Sequence, residues 1–261
     1  MIASLFAALL ASQGAAAPLP PAGKWTVEYQ KDMCIVSRPF GPAEAPIIFA
    51  LKPAVSMEET GQALYVVAPN AGGNGGYRQG HATISLDPPK ESRKVDFTSW
   101  IPARGKVRTY QVYADADMVK AMDDTASVLI TAGNEHFWFD TGKMRAVLKA
   151  MRACNEDLIR SWGVDPATMA RTLPGSNAAS WFPQDSYPAS AKRRGAQGRS
   201  VIVITVSPEG TPTACRAVVN AAPDLDETTC RLAMRNARFE PSTGTTVRYG
   251  VLGVRWELWD F

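Results

Sequence analysis

The chain has no run of some 20 apolar residues, only two histidines, four scattered cysteines, and a formal charge of just +3 over 261 residues. Each shortage excludes something. A membrane-spanning helix needs about 20 apolar residues, whereas the apolar start runs only from Met1 to about Leu10 before decaying into SQGAAAP. No later segment is longer. His81 and His136 stand alone and no two cysteines are close in sequence, so metal-ligand spacing is missing and no metal or cofactor is expected. The mild charge gives no reason to expect nucleic acid. The one dense basic run, Lys192, Arg193 and Arg194, reads as the solvated face of a helix.

Catalytic constellations are missing too. Gly72, Gly73, Asn74, Gly75 and Gly76 form a Gly-rich run, but no Lys followed by Ser or Thr closes it, so a loop is expected and not a phosphate cradle. His81, Ser85 and Asp87 fall along one strand without a nucleophile elbow. His136, beside Phe137, Trp138 and Phe139, reads as a strand or core residue. The acidic pairs Glu58 and Glu59, Asp115 and Asp117, and Asp123 and Asp124 suit turns and helix starts, where carboxylates favour the helix dipole. None has the separated pairing of a glycoside hydrolase. A non-enzymatic protein is expected.

What is present suits an exported protein. The short apolar start followed by small residues resembles a secretory signal over residues 1–17, with removal near Ala15 or Ala16 because Pro18 disfavours cleavage after Ala17. A short anchor, or a mis-set start codon, is the alternative. With 46% hydrophobic and 20% charged residues the chain can bury ordinary cores. Four cysteines in an exported chain allow two disulfides in three pairings. Domain logic favours Cys215 with Cys230 and Cys34 with Cys154.

Residues 18–163 read as an α+β domain of mostly antiparallel sheet. Short β-forming segments recur at WTVEY, CIVSRPF, IIFALKP, LYVVAP, ATISLD, VDFTSWI and VRTYQVYA, punctuated by Gly and Pro. Two helical stretches follow. The second, over 143–162, places Val147, Leu148, Met151, Cys154, Leu158 and Trp162 at helical spacing, with Gly163 to end it. Residues 164–186 form a Pro- and Gly-bearing connector in which Trp181 and Phe182 are expected to pack on one domain.

Residues 187–261 have a different grammar. Residues 199–206 are apolar on both parities, the pattern of a strand covered on two sides. Ser207, Pro208, Glu209 and Gly210 turn the chain into a second strand at about 213–219. Asp224 or a neighbour can cap a helix to about Asn236 with Thr229, Cys230, Ala233, Met234 and Ala237 on one side. A last strand, about 247–258, sets Leu252, Val254, Trp256 and Leu258 on one face. Helices on one side only would leave Ile202, Ile204 and Val206 bare, so the N-terminal domain or a second copy is expected to cover them.

Tyr187, Pro188 and Ala191, then Gly198, Gly210, Leu225 and Asp226, and finally Arg238, Phe239 and Pro241 follow in an order that resembles the C-terminal domain of the TonB energy transducers over 187–256. The resemblance implies a small αββαβ module. It also implies a non-enzymatic periplasmic protein that binds a peptide or protein partner by strand addition, for example a segment of an outer-membrane transporter. Arg248, Tyr249, Val251, Val254 and Trp256 would then line the partner edge. The same edge could instead close on a second copy, giving a homodimer. The transducers themselves carry an uncleaved membrane helix and a long Pro-rich spacer, neither of which is clear here. Membrane contact, an inner-membrane location and full energy transduction in outer-membrane transport are therefore the alternative, tied to retention of residues 1–17. An enzyme housed in the N-terminal domain is a third reading.

Overall fold

The computed structural model describes residues 17–53, 62–70, 76–88, 90–101, 105–174 and 176–258. The protein is α+β, built on two antiparallel sheets. Nine strands make the first: β1 (Thr26–Tyr29), β2 (Cys34–Phe40), β3 (Ile47–Pro53), β4 (Gln62–Pro69), β5 (Arg78–Asp87), β6 (Glu91–Trp100), β7 (Val107–Ala114), β8 (Ser127–Ala132) and β9 (Glu135–Asp140). Their order is β1-β2-β3-β4-β7-β6-β5-β8-β9.

The two ends of this sheet meet. Leu19 bridges to Phe139 on β9 and Pro21 bridges to Phe40 on β2, so the chain start closes the sheet into a barrel. Inside, Phe139 lies 4.9 Å from Phe40 and 5.0 Å from Phe49, ring centre to ring centre. Leu51, Leu64, Ile84 and Ile130 complete a fully buried interior. Inward positions alternate with outward ones along β5 and β9, which is why these segments show period two.

Helices fill one end of the barrel. Helix α1 (Ala116–Ala121) follows β7, and its N-cap Asp115 accepts a hydrogen bond from the Met118 backbone N–H. Helix α2 (Arg145–Ser161) follows β9. Met118, Met122, Met144, Leu148 and Met151 are buried in the barrel core. The expected span of α2 is reproduced to within two residues at its start and one at its end. The β8–β9 hairpin between the helices was not foreseen. Its signal was Gly133, at φ +62°, between SVLIT and EHFWF.

The second sheet comprises β10 (Gly198–Val206), β11 (Pro212–Val219) and β12 (Arg248–Trp256) in the order β11-β10-β12. Helix α3 (Ala189–Arg194) precedes it, and α4 (Pro223–Asn236) joins β11 to β12. Pro223 opens α4, and no side chain caps it. Asp224, expected there, instead accepts from Ser190 Oγ and the Arg194 guanidinium, joining α3 to α4. Lys192, Arg193 and Arg194 are exposed.

Both faces of β10 are covered, as its sequence implies, but the assignment of faces is corrected. Helix α4 lies over Ile202, Ile204 and Val206 through Ala233 and Ala237. The opposite face, Val201 and Val203 with Val219 and Val251, packs against Cys34, Leu158, Ile159 and Trp162 from the N-terminal part of the chain. The cover is thus the N-terminal part, on the other face. Two disulfides pin this arrangement: Cys34–Cys154 holds β2 to α2 across 120 residues, and Cys215–Cys230 holds β11 to α4 across 15. In the connector, Trp181 is buried 6.0 Å from Phe239, and Phe182 is half-buried.

Candidate functional site: the outer edge of the last strand

With β10 in the middle, β12 and β11 are the two edges of the small sheet, and an edge presents unpaired backbone groups. Residues of β12 alternate in what they offer. The Tyr249 carbonyl accepts from the Ala170 N–H on the side away from β10. By strand alternation the backbone groups of Val251, Gly253 and Arg255 point the same way. Those of Arg248, Gly250, Leu252, Val254 and Trp256 face the ladder with β10.

This alternation divides the five residues singled out from sequence. Arg248 donates from its guanidinium to the carbonyls of Glu240, at 2.8 Å, and Ser207, at 3.3 Å, which locks the hairpin end. Tyr249 is held at its carbonyl by the connector, and Met169 forms a parallel bridge to it. Val251 is buried between the two sheets. Val254 is half-buried beside α4. Trp256 is buried, donates from Nε1 to Thr229 Oγ1 at 2.9 Å and meets the Tyr187 ring edge-on at 5.2 Å. Gly253 and Arg255, both exposed, lie within the same strand and are not among the five.

Residues 169–173 act as a strap along one half of this edge. Besides the bond to Tyr249, Leu173 N–H donates to the Arg238 carbonyl and Glu240 N–H to that of Arg171. Among the described residues no backbone bond reaches Val251, Gly253 or Arg255 from outside the sheet. Among the described residues the edge is therefore bonded at Tyr249 and carries no backbone bond beyond it.

The open half runs toward a cleft of about 420 Å³ between the sheets, lined by Asp32, Gln197, Arg199, Arg255 and Glu257 among others. Arg199 lies over Gly253, where a side chain would collide with its guanidinium. Its Nη1 donates to Asp32 Oδ2 at 3.2 Å. Arg255 pairs with Glu257. Burial pulls the Lys52 ammonium down to about 8, helped by the positive charge of Arg199. Burial likewise pushes the Tyr65 phenol up to about 12.

The other candidates are dispersed. His81 sits on the outer surface of β5, with Nδ1 2.9 Å from Asp96 Oδ1, both exposed. Ser85 bonds to Ser92, not to His81. His136 lies on β9 beside Thr131. Glu58, Glu59, residues 72–75 of the Gly-rich run and nearly all of the proposed signal segment lie outside the described residues. All four cysteines are oxidised, so none offers a thiolate.

Residues 183–258 match the family described as the Gram-negative bacterial TonB protein C-terminal. Neither a curated protein nor a solved structure matches the chain.

Proposed function

We propose that residues 187–261 form a TonB-type interaction module that captures an extended segment of a protein partner by adding it as a fourth strand outside β12. The carrying observation is the half-open edge: Val251, Gly253 and Arg255 direct backbone donors and acceptors outward, past the end of the strap at Tyr249. In strand addition such groups provide the affinity and neighbouring pockets provide choice. The cleft beside Arg199 and Arg255 is the pocket nearest this edge. The partner is a protein or peptide, for example an outer-membrane transporter segment, and no step requires an enzyme or a cofactor.

Residues 18–163 form the companion domain, 164–186 the connector and 1–17 a signal removed on export to the periplasm in this reading. What supports it over a motor-coupled transducer is the segment ahead of the module. It folds back on itself as a closed sheet, whereas reach across the envelope asks for an extended spacer.

The test is amide mapping by NMR, with the full chain titrated with extended peptides from the N-terminal segments of outer-membrane transporters. New protection at Val251, Gly253 and Arg255 is expected. Protection confined to β11 would move the site to the opposite edge, and a doubled mass without peptide would make the edge a homodimer seam. Fractionation with the intact mass of the cellular protein tests export. A soluble species beginning near Ala16 or Ala17 supports the reading, and a membrane-bound chain retaining Met1 overturns it.

A further inference from the structure

The strap over Tyr249 imitates an added strand. Met169 and Ala170 lie along β12 in parallel sense, with Met169 bridged to Tyr249 and the Ala170 N–H donating to the Tyr249 carbonyl at 2.8 Å. Their side chains go to opposite faces of the small sheet, as those of two successive strand residues do. Met169 packs with Leu158, Val201 and Val251 on the barrel side, while Ala170, 5% exposed, packs with Ile204 and Phe239 on the α4 side. The two residues thus fill two places of a fourth strand.

The imitation is incomplete. The strap takes the Tyr249 carbonyl, but the N–H of the same residue points the same way and meets no backbone acceptor among the described residues. The strap's remaining backbone bonds, from Leu173 to Arg238 and from Glu240 to Arg171, join it to the segment after α4 and not to β12. Asp165 caps only a short turn ahead of it, and Arg171, Leu173 and Pro174 behind it are exposed. A segment held to β12 by one backbone bond, one buried alanine and one half-buried methionine opens at far less cost than the sheet beneath it. A strand that pairs with Tyr249, Val251, Gly253 and Arg255 together replaces that bond with a longer ladder.

We propose, resting on the strand-addition reading, that the strap is an internal competitor for the partner: a captured segment long enough to reach Tyr249 lifts Met169 and Ala170 off β12 and takes their places. The full docking edge then runs from Tyr249 to Arg255. The vacated places prescribe the chemistry of that end of the segment, because both are apolar and they lie on opposite faces. Two successive apolar residues refill them, whereas charged ones would be stranded in two cores. While the strap is closed, the apparent affinity of a long segment is lowered in proportion to the fraction of open molecules. A segment that stops at Val251 is indifferent to it.

The test uses the full chain, amide exchange by NMR, and a pentapeptide from the N-terminal segment of an outer-membrane transporter, alone or lengthened at both ends by two valines or by two aspartates. With the valine peptide, the Tyr249 amide should gain protection and that of Ala170 should lose it. The pentapeptide and the aspartate peptide should protect only Val251, Gly253 and Arg255. Ala170→Pro removes the strap's donor and should tighten the valine peptide by about three- to tenfold without changing the pentapeptide. Ala170 still protected at saturation with the valine peptide, or released equally by the aspartate peptide, overturns the proposal and leaves strand addition standing. Equal affinity of the valine peptide for the wild type and a folded Ala170→Pro does the same. No protection along β12 with any peptide, in either protein, overturns both. The wild-type measurements decide the matter without the variant.

Discussion

Arg199 on β10 donates to Asp32, in the turn before β2, across 167 residues of sequence, and both side chains are more than four-fifths buried, at 16% and 19% exposure. The pair joins the barrel to the small sheet. Burial already holds the Arg199 guanidinium below its ordinary range, with Asp32 opposing that shift.

Asp32→Asn strands a buried cation and is expected to cost roughly 1–3 kcal/mol in urea denaturation, less than for a fully buried pair because some solvent reaches both groups. Adding Arg199→Met should recover most of the loss. Additive losses in the double variant would show that the two residues are not coupled.

Stability should respond to pH through Lys52 and Tyr65. Unfolded Lys52 keeps its proton to 10.5, folded Lys52 only to about 8. Between those values the unfolded chain binds more protons, so stability rises with pH. Tyr65 runs the other way: its pKa goes from 10.0 unfolded to about 12 folded, so from about pH 10 upward the folded state binds more protons and stability falls. A maximum near pH 10 is expected, with a rise from about pH 8 on the order of 1–3 kcal/mol. Lys52→Met should flatten the rise and keep the fall, measured as denaturation midpoints across the range.

Much of this was legible in sequence, and the gaps have physical causes. Strand segments such as CIVSRPF and IIFALKP carried their own period and turn punctuation and appear as β2 and β3 without shift. Which face of β10 takes α4 was not readable, because Val201 and Ile202 are equally apolar. Register decides it: Ile204 pairs with Cys215, whose disulfide to Cys230 fixes α4 on the Ile204 face. Closure of the barrel by Leu19 and Pro21 was hidden for a different reason: two isolated bridges leave no periodic trace. The expected edge residues followed from the family resemblance, which names a strand but not which of its backbone groups face outward, as those of Val251, Gly253 and Arg255 do.

The two disulfides should differ in worth. The Cys34–Cys154 loop spans 120 residues and the Cys215–Cys230 loop 15. Chain entropy alone puts them near 5 and 3 kcal/mol. Replacing Cys34 and Cys154 together by Ala should therefore lower stability more than replacing Cys215 and Cys230, with the melting temperature as readout. The reverse order would mean that the unfolded chain is already compact around the longer loop.

Gly210→Ala is expected to cost about 2–4 kcal/mol. The residue sits at φ +85°, and an added Cβ would overlap the Phe239 carbonyl. That carbonyl belongs to the segment whose N–H bonds back to Gly210. Thermal unfolding measures the loss, and a change below about 0.5 kcal/mol would refute this packing.

Helix α2 serves two cores at once. Leu148 and Met151 belong to the barrel interior, while Leu158, Ile159 and Trp162 belong to the core against Val201 and Val251. The Trp162 carbonyl at its end receives the Arg216 guanidinium from β11. The helix is an axle shared by two wheels. Val251 of β12 packs on the far half of α2, and Cys154 of the same helix is bonded to the barrel wall at Cys34. If a strand is captured as proposed, its load on the small sheet meets a covalent bond, the one that ties α2 to the barrel wall.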